Sequence, residues 1–343
     1  MLGLKTILIR LVSLVWVLLI FDVAKAENNA SEAFTSFESS CLSGNLDDCN
    51  TTGYYYEHGI GVELDPDFSL LYYTMACEGK NRMGCYNLGR LYANERGEYR
   101  NYEKAEIYLK QSCDAKYTRA CGYLGELYTT GKLGEKHRKT GILLSKKSCD
   151  GKNVQACTNL GEWYWSGVGV PQDSKKSIFY YEKACNADGA EGCYQMAFYY
   201  QFRVANKDIN KAIKLYEKSC VKEHPWSCLA LGDINNSGYY FTPDYAKALS
   251  YFRGICNERL AVGCAELGRM YASGRGVQAN DQTAFDLFQI ACDTGVALGC
   301  SQLGIMYAEG RTVRKDLNKA KQLFAQACEW KDNIGCQKKF EYQ

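Results

Sequence analysis

All eighteen cysteines of this 343-residue chain fall into C-x7-C pairs: Cys41/Cys49, Cys77/Cys85, Cys113/Cys121, Cys149/Cys157, Cys185/Cys193, Cys220/Cys228, Cys256/Cys264, Cys292/Cys300 and Cys328/Cys336. First cysteines recur every 36 residues, with one step of 35 between Cys185 and Cys220. A period of this size marks a solenoid of stacked supersecondary units. It also sets the pairing. Sequence alone ordinarily leaves connectivity open, but repeated units must each solve the same local geometry, so each pair is expected to close on itself.

The amino terminus reads as an export signal over residues 1–26. Lys5 and Arg10 precede an apolar run from Leu11 to Phe21, and Ala24-Lys25-Ala26 forms an A-x-A cleavage site that leaves Glu27 first. An uncleaved membrane anchor is the competing reading, although the run falls short of the roughly 20 residues a spanning helix needs. Disulfides persist in oxidising compartments, so the expected location is secreted or periplasmic, with no membrane span after cleavage. Zinc held by reduced thiols fits poorly, because the x7 spacing matches no short zinc-knuckle spacing and only His58, His137 and His224 are present. No metal or cofactor is expected. Without residues 1–26, 38 basic and 38 acidic side chains remain. This balance argues against nucleic acid or an anionic membrane as general partners. Residues 27–343 read as one solenoid with terminal caps, and as a monomer.

Each unit has the same two-helix pattern. Counting back from the first cysteine, a small residue stands at −8 (Ser69, Ala105, Gly141, Ser177, Ala212, Ala248, Ala284, Ala320) and large apolar residues at −5 and −4, such as Tyr72-Tyr73 and Leu323-Phe324. This is one buried helical face. At −12, Asp65, Asn101, Asp173, Asp208, Asp244, Asn280 and Asp316 suit helix starts, and only His137 departs. This helix is termed B. Counting forward from the second cysteine, Leu or Met follows at +3, Gly or Ala at +4 and Tyr at +7, with Asn235 the exception at +7. This second helix is termed A. Its recurrent glycine, costly inside a helix, implies that a neighbouring helix needs the room. Glycines at +10 (Gly59, Gly131, Gly167, Gly238, Gly274, Gly310) suit left-handed helix ends. Each bridge should tie a B helix to the following A helix across a short cysteine-flanked turn, closing a loop of nine residues counted with both cysteines. Two stretches break the pattern: 131–145, with Ser145 in an aromatic position, and 193–208, with Met196-Ala197 and one residue fewer.

The run from Cys157 to Cys185 carries Leu160-Gly161, Tyr164, Gly167, Gly169-Val170, Asp173 and Tyr181-Glu182-Lys183-Ala184-Cys185. It resembles a Sel1-like repeat. With a cysteine pair in every unit and an export signal, the chain resembles the Helicobacter cysteine-rich proteins. The resemblance implies an all-α, right-handed α/α superhelical solenoid related to tetratricopeptide arrays. It also implies a scaffold meeting host or cell-wall partners, or alternatively a penicillin-binding protein with weak β-lactamase activity.

Spacing alone supports no hydrolase. Ser219-Cys220-Val221-Lys222 and Lys139-Thr140-Gly141 match serine-lactamase strings, but in reversed order and in structural positions. The expected function is instead the binding of an extended peptide or protein partner, with a β-lactam or cell-wall peptide as the variants implied by resemblance. The expected site is a concave groove lined by A helices. Positions +2, +5 and +9 should face it, and the first two give Asn87, Arg90, Glu126, Asn159, Glu162, Gln195, Asp233, Arg269 and Gln302 as candidates. Side-chain amides can both donate to and accept from a peptide unit. Trp163 and Trp165 are expected to pack or bridge units. Three sequons, at Asn29, Asn50 and Asn235, each have an acidic residue two positions earlier, and are candidates for bacterial-type N-glycosylation.

Overall fold

The computed structural model describes residues 28–203, 207–256 and 260–342. The expected export segment 1–26 lies outside the described residues. The chain forms two compact units, the first ending at Ser177 and the second beginning at Ile178.

Helices account for nearly all of both. The first unit opens with α1 over 28–42 and continues through α2 (Leu46–His58), α3 (Pro66–Glu78), α4 (Arg82–Ala93), α5 (Tyr102–Asp114), α6 (Thr118–Thr129), α7 (Arg138–Asp150) and α8 (Val154–Ser166). Helix α9 (Ser174–Asn186) carries the boundary. The second unit continues through α10 (Ala190–Phe202), α11 (Ile209–Cys220), α12 (Pro225–Ser237), α13 (Tyr245–Ile255), α14 (Val262–Ser273), α15 (Asp281–Asp293), α16 (Ala297–Glu309), α17 (Leu317–Glu329) and α18 (Asn333–Glu341). Even-numbered helices are A and odd-numbered ones B. The fold is an all-α solenoid of tandem helix–turn–helix repeats.

The termini of these helices follow the expected chemistry. Asp65, Asn101, Asp173, Asp208, Asp244, Asn280 and Asp316 each accept a backbone N–H from the first turn of their B helix. Where His137 replaces them there is no side-chain cap, and a short 3-10 turn (Glu135–His137) leads into α7 instead. All six +10 glycines have positive φ, between 65° and 82°.

The nine bridges are Cys41–Cys49, Cys77–Cys85, Cys113–Cys121, Cys149–Cys157, Cys185–Cys193, Cys220–Cys228, Cys256–Cys264, Cys292–Cys300 and Cys328–Cys336, with Cα–Cα distances of 4.4–4.9 Å. Each ties the end of a B helix to the next A helix. The expected short turn between the cysteines is observed, and it is shorter than their spacing because the A helix starts before its cysteine. Cys49, Cys85, Cys121 and Cys193 lie inside α2, α4, α6 and α10, which begin at Leu46, Arg82, Thr118 and Ala190. Asn45 and Asn81 explain two of these early starts. Their side chains accept backbone N–H groups at the head of α2 and α4, so the helix is capped ahead of the bridge.

The turn places the third residue after the first cysteine in the left-handed region. Gly44 and Gly295 occupy it in two units, but Lys80 (φ 69°), Lys116 (63°), Lys152 (62°) and Lys331 (65°) hold the same place in four others, and Asp188 (64°) and Glu223 (59°) in two more. The cysteine carbonyl accepts the N–H of this residue, for instance Lys80 to Cys77 at 2.9 Å, and the following N–H reaches back to the residue before the cysteine, as from Asn81 to Ala76 at 2.9 Å. These bonds close the B helix in the Schellman manner.

The core lies between A and B of each repeat. The +3 residues Leu88, Leu124, Leu160, Met196, Leu231, Leu267 and Leu303 are buried. The +4 glycines make room for the −4 side chain of the same repeat. A methyl group on Gly268 would lie 2.7 Å from the Phe288 ring, and one on Gly304 would lie 2.7 Å from Phe324. The stretch 131–145 solves the same problem by backbone contact. With Ser145 and Gly141 on α7, a Cβ on Gly125 would meet the Gly141 carbonyl oxygen at 2.7 Å, and one on Gly141 would meet the Gly125 carbonyl oxygen at 2.6 Å. Within 193–208, Ala197 packs in the cluster that contains Tyr216, whose hydroxyl donates to the buried Gln201 Oε1 at 2.8 Å. Residues 204–206 lie outside the described residues.

Candidate functional site

In the first unit, α4, α6 and the head of α8 border open space. Two cavities adjoin in it. One, of about 550 Å³, is lined by Tyr86, Arg119, Tyr123, Glu126 and Lys152 among others; the second, of about 510 Å³, is lined by Arg90, Tyr123, Glu126 and Lys132 among others. Tyr123 and Glu126 belong to both. The repeat places them there: they are the +2 and +5 residues of α6, while Gly125 and Tyr128 at +4 and +7 turn inward against α7 and Glu106.

Of the residues expected to line the groove, Arg90 and Glu126 line these cavities. Arg90 donates to both carboxylate oxygens of Glu57, at 2.7 and 2.5 Å, and Tyr73 Oη donates to Glu57 Oε2 at 2.8 Å. Burial opposes the Arg90 charge, and the Glu57 bond outweighs it, so its pKa stands above the ordinary guanidinium value. Burial raises the Glu126 carboxyl, partly offset by an amide bond from Asn159 Nδ2 at 2.9 Å. Tyr123 is pushed up to about 12 by burial and then by the nearby Glu126 charge.

The amides behave differently from expectation. Asn87 Nδ2 donates to Asn50 Oδ1 in the preceding repeat at 2.8 Å. Asn159 bonds Glu126 and accepts from Gln155 at 2.8 Å. Gln195 donates to Glu191 Oε1 at 2.6 Å. Asn87 and Asn159 thus join successive A helices. Glu162 is exposed on α8, outside both cavities.

In the second unit, Arg269 and Gln302 line a smaller cavity of about 270 Å³ with Asn236, Arg275 and Arg311. Arg269 pairs with Glu266 at 3.1 Å, and Arg311 with Asp281. Asp233 is open to solvent yet crowded by protein, and desolvation, then the Glu266 charge, push its carboxyl up to about 6 against the pull of Arg269.

The other candidates resolve as structure. Cys49, Cys85, Cys121 and Cys193 are at most 2% exposed and line neither cavity of the first unit. They hold the starts of A helices in place and offer no atom to a ligand. Ser219 is fully buried; its hydroxyl donates to the Ala190 carbonyl at 2.8 Å and accepts from Ser227 Oγ at 2.8 Å. A nucleophile needs access to substrate, and this hydroxyl has none. Lys139-Thr140-Gly141 lies in the first turn of α7, not on a strand. His224 contacts Glu191 at 2.9 Å and Ser227 Oγ at 3.1 Å, an order suggestive of a catalytic triad. However, Ser227 is fully buried and its N–H is capped by His224 Nδ1, so this network caps α12. Trp163 is buried in α8, and the Trp165 carbonyl accepts from Gln172 at 2.6 Å. Asn29 is exposed. Asn50 accepts from Asn87, and Asn235 Nδ2 donates to the Leu231 carbonyl at 2.7 Å, so both amides are engaged inside helices.

Sequence reasoning missed Tyr86, Arg119, Tyr123 and Lys152. One signal was available: in this repeat alone, +2 holds a tyrosine.

The Sel1 repeat pattern matches residues 50–81, 82–117, 154–189, 190–220, 227–253, 261–296 and 297–329. The chain belongs to the Sel1 repeat family. A Sel1 repeat protein from Oxalobacter formigenes is 20% identical over 90% of each chain, with a TM-score of 0.64. The protective antigen c5321 of uropathogenic Escherichia coli is 21% identical, covering 91% of this chain and 75% of its own, with a TM-score of 0.49. Helicobacter pylori cysteine rich protein B is 30% identical, covering 38% of this chain and 96% of its own, with a TM-score of 0.32. No protein of curated function matches. Among the described residues, no helix is long and apolar enough to cross a membrane. The Sel1 array here is thus a disulfide-braced all-α scaffold, in a fold class generally used for binding peptides and proteins.

Proposed function

We propose that this protein is an exported scaffold that holds an extended peptide along the A-helix face of its first unit. The observation that carries the reading is the pair of adjoining cavities that share Tyr123 and Glu126. Each has the volume of a ligand site. Their walls alternate aromatic surface with side chains able to donate and accept, which suits a backbone whose amide groups need partners on binding. An unpaired buried amide group costs roughly 1–3 kcal/mol. Nine bridges support the export reading, since such bonds survive in oxidising compartments.

Titration with a degenerate library of fluorescein-labelled decapeptides tests this. Binding on the order of micromolar, about 8 kcal/mol, is expected. Tyr123→Ala should weaken it at least about tenfold, or 1.4 kcal/mol, and leave thermal unfolding unchanged. Absence of binding, or binding indifferent to Tyr123→Ala, contradicts the proposal.

The exposed Asn29 is the sequon open to modification on the same export reading. Intact mass of protein from its native host should exceed that of the bare mature chain, and loss of the excess in Asn29→Gln places the modification.

A further inference from the structure

The larger cavity has an unbalanced charge. Three charged side chains line it: Arg119, Lys152 and Glu126. Glu126 takes the Asn159 amide, and burial already works against its negative charge. Neither Arg119 nor Lys152 has an ion-pair partner among the described residues, whereas Arg90 and Lys132 in the adjoining cavity are met by Glu57 and Glu95. Two cations and one carboxylate leave the cavity one positive charge in excess. Beside them stand the rings of Tyr86 and Tyr123, with centroids 6.4 Å apart and crossed at 71°. Exposed cations without an ion-pair partner among the described residues, flanking an aromatic wall, favour an anion carried on a slender apolar stem.

We propose that this cavity is a carboxylate subsite: Arg119 and Lys152 receive one carboxylate of the bound peptide while Tyr86 and Tyr123 cover the carbons that bear it. The inference rests on the peptide-binding reading and adds its sign and anchor point. A single carboxylate brings the cavity to neutrality; a lysine or arginine side chain would meet two like charges there. The carboxylate can come from an Asp or Glu side chain or from the peptide's own carboxyl terminus.

Four fluorescein-labelled decapeptides of Ser, Asn and Ala distinguish these cases: one with a central Glu and an amidated terminus, one with a free terminus only, one neutral and amidated, and one with a central Lys and an amidated terminus. At least one carboxylate peptide should bind about tenfold or more tightly than the neutral one, and the stronger of the two names the source. The Lys peptide should bind more weakly than the neutral one. In Arg119→Gln/Lys152→Gln the preference and its salt dependence should disappear, while Glu126→Gln should strengthen carboxylate binding by removing a like charge. Arg119 and Lys152 are exposed, so the double variant should fold as the parent does, which unchanged thermal unfolding checks. Binding of equal strength to all four peptides, a preference for Lys, or a preference that survives the double variant overturns the subsite but leaves the groove standing. Failure of every peptide to bind overturns both.

Discussion

The hydroxyl of Tyr73 donates to the carboxylate of Glu57 at 2.8 Å, joining the −4 position of a B helix to the +8 position of its own A helix. The same pair recurs as Tyr216 and Gln201. In three repeats with Leu or Phe at −4, +8 is alanine: Leu109 with Ala93, Phe288 with Ala272 and Phe324 with Ala308. One repeat mixes the two solutions. It holds Phe252 at −4 and Asn236 at +8, and Asn236 Oδ1 is buried without a hydrogen-bond partner among the described residues.

Phe252→Tyr should therefore stabilise the protein by about 1 kcal/mol, by supplying the missing donor. Asn236→Ala should stabilise it by a similar amount, by removing the orphan. Chemical denaturation measures both, and a loss of stability in each would contradict this reading of the pair.

The small −8 position offers a second case. Ser69 is fully buried and its hydroxyl has no partner among the described residues, while Ala105, Ala212, Ala248, Ala284 and Ala320 fill the same place in other repeats. Ser69→Ala should raise stability by roughly 1 kcal/mol. An unchanged or lower denaturation midpoint would show that the hydroxyl is satisfied.

The bridges should not reduce together. Cys300 and Cys264 have essentially no exposed surface, whereas Cys220, Cys328 and Cys336 are partly exposed, and Cys220–Cys228 lines a cavity of about 520 Å³. Limiting reductant followed by alkylation and peptide mapping should label Cys220–Cys228 and Cys328–Cys336 first and Cys77–Cys85, whose cysteines are each 1% exposed, late. Simultaneous labelling of all nine would mean that reduction proceeds only through global unfolding.

Asp233 sets a pH dependence. Its carboxyl is raised to about 6 by desolvation and the Glu266 charge, so the folded state holds this proton more tightly than the unfolded chain does. The resulting contribution is fully present below about pH 4 and is lost as pH rises through about 6. Asp233→Asn should therefore gain on the parent protein in melting temperature between pH 4 and 7. Parallel curves would contradict the shift, which a carboxylate NMR titration reads directly.

Much of the fold was legible because the same requirement is written every 36 residues. The caps Asp65 to Asp316, the glycines beside Phe288 and Phe324, and the cysteine pairs each answer a local constraint that repetition exposes. The start of each A helix was less plain. The apolar pattern begins after Cys49 or Cys85, whereas the caps Asn45 and Asn81 that begin the helix lie ahead of those cysteines. The site was less legible still, because its partners lie one repeat apart and depend on how successive A helices stack. Asn87 with Asn50, Arg90 with Glu57 and Asn159 with Glu126 are 37, 33 and 33 residues apart. Nothing local in the sequence tells an amide that bridges repeats from one that faces a ligand. Lysine at the left-handed position of the disulfide turn was hidden for a related reason. Glycine is the residue that position favours, and four lysines held there by the bridge and the helix-closing bonds carry no local signal.

The central claim is that the A-helix face of the first unit holds a peptide. Hydrogen–deuterium exchange with and without a saturating acidic decapeptide tests it most directly. The account predicts slowed exchange in α4 and α6, centred on the turns that carry Tyr86, Tyr123 and Glu126, with the B helices α3 and α5 unchanged. Protection confined to the B helices, or none anywhere at saturation, would contradict it.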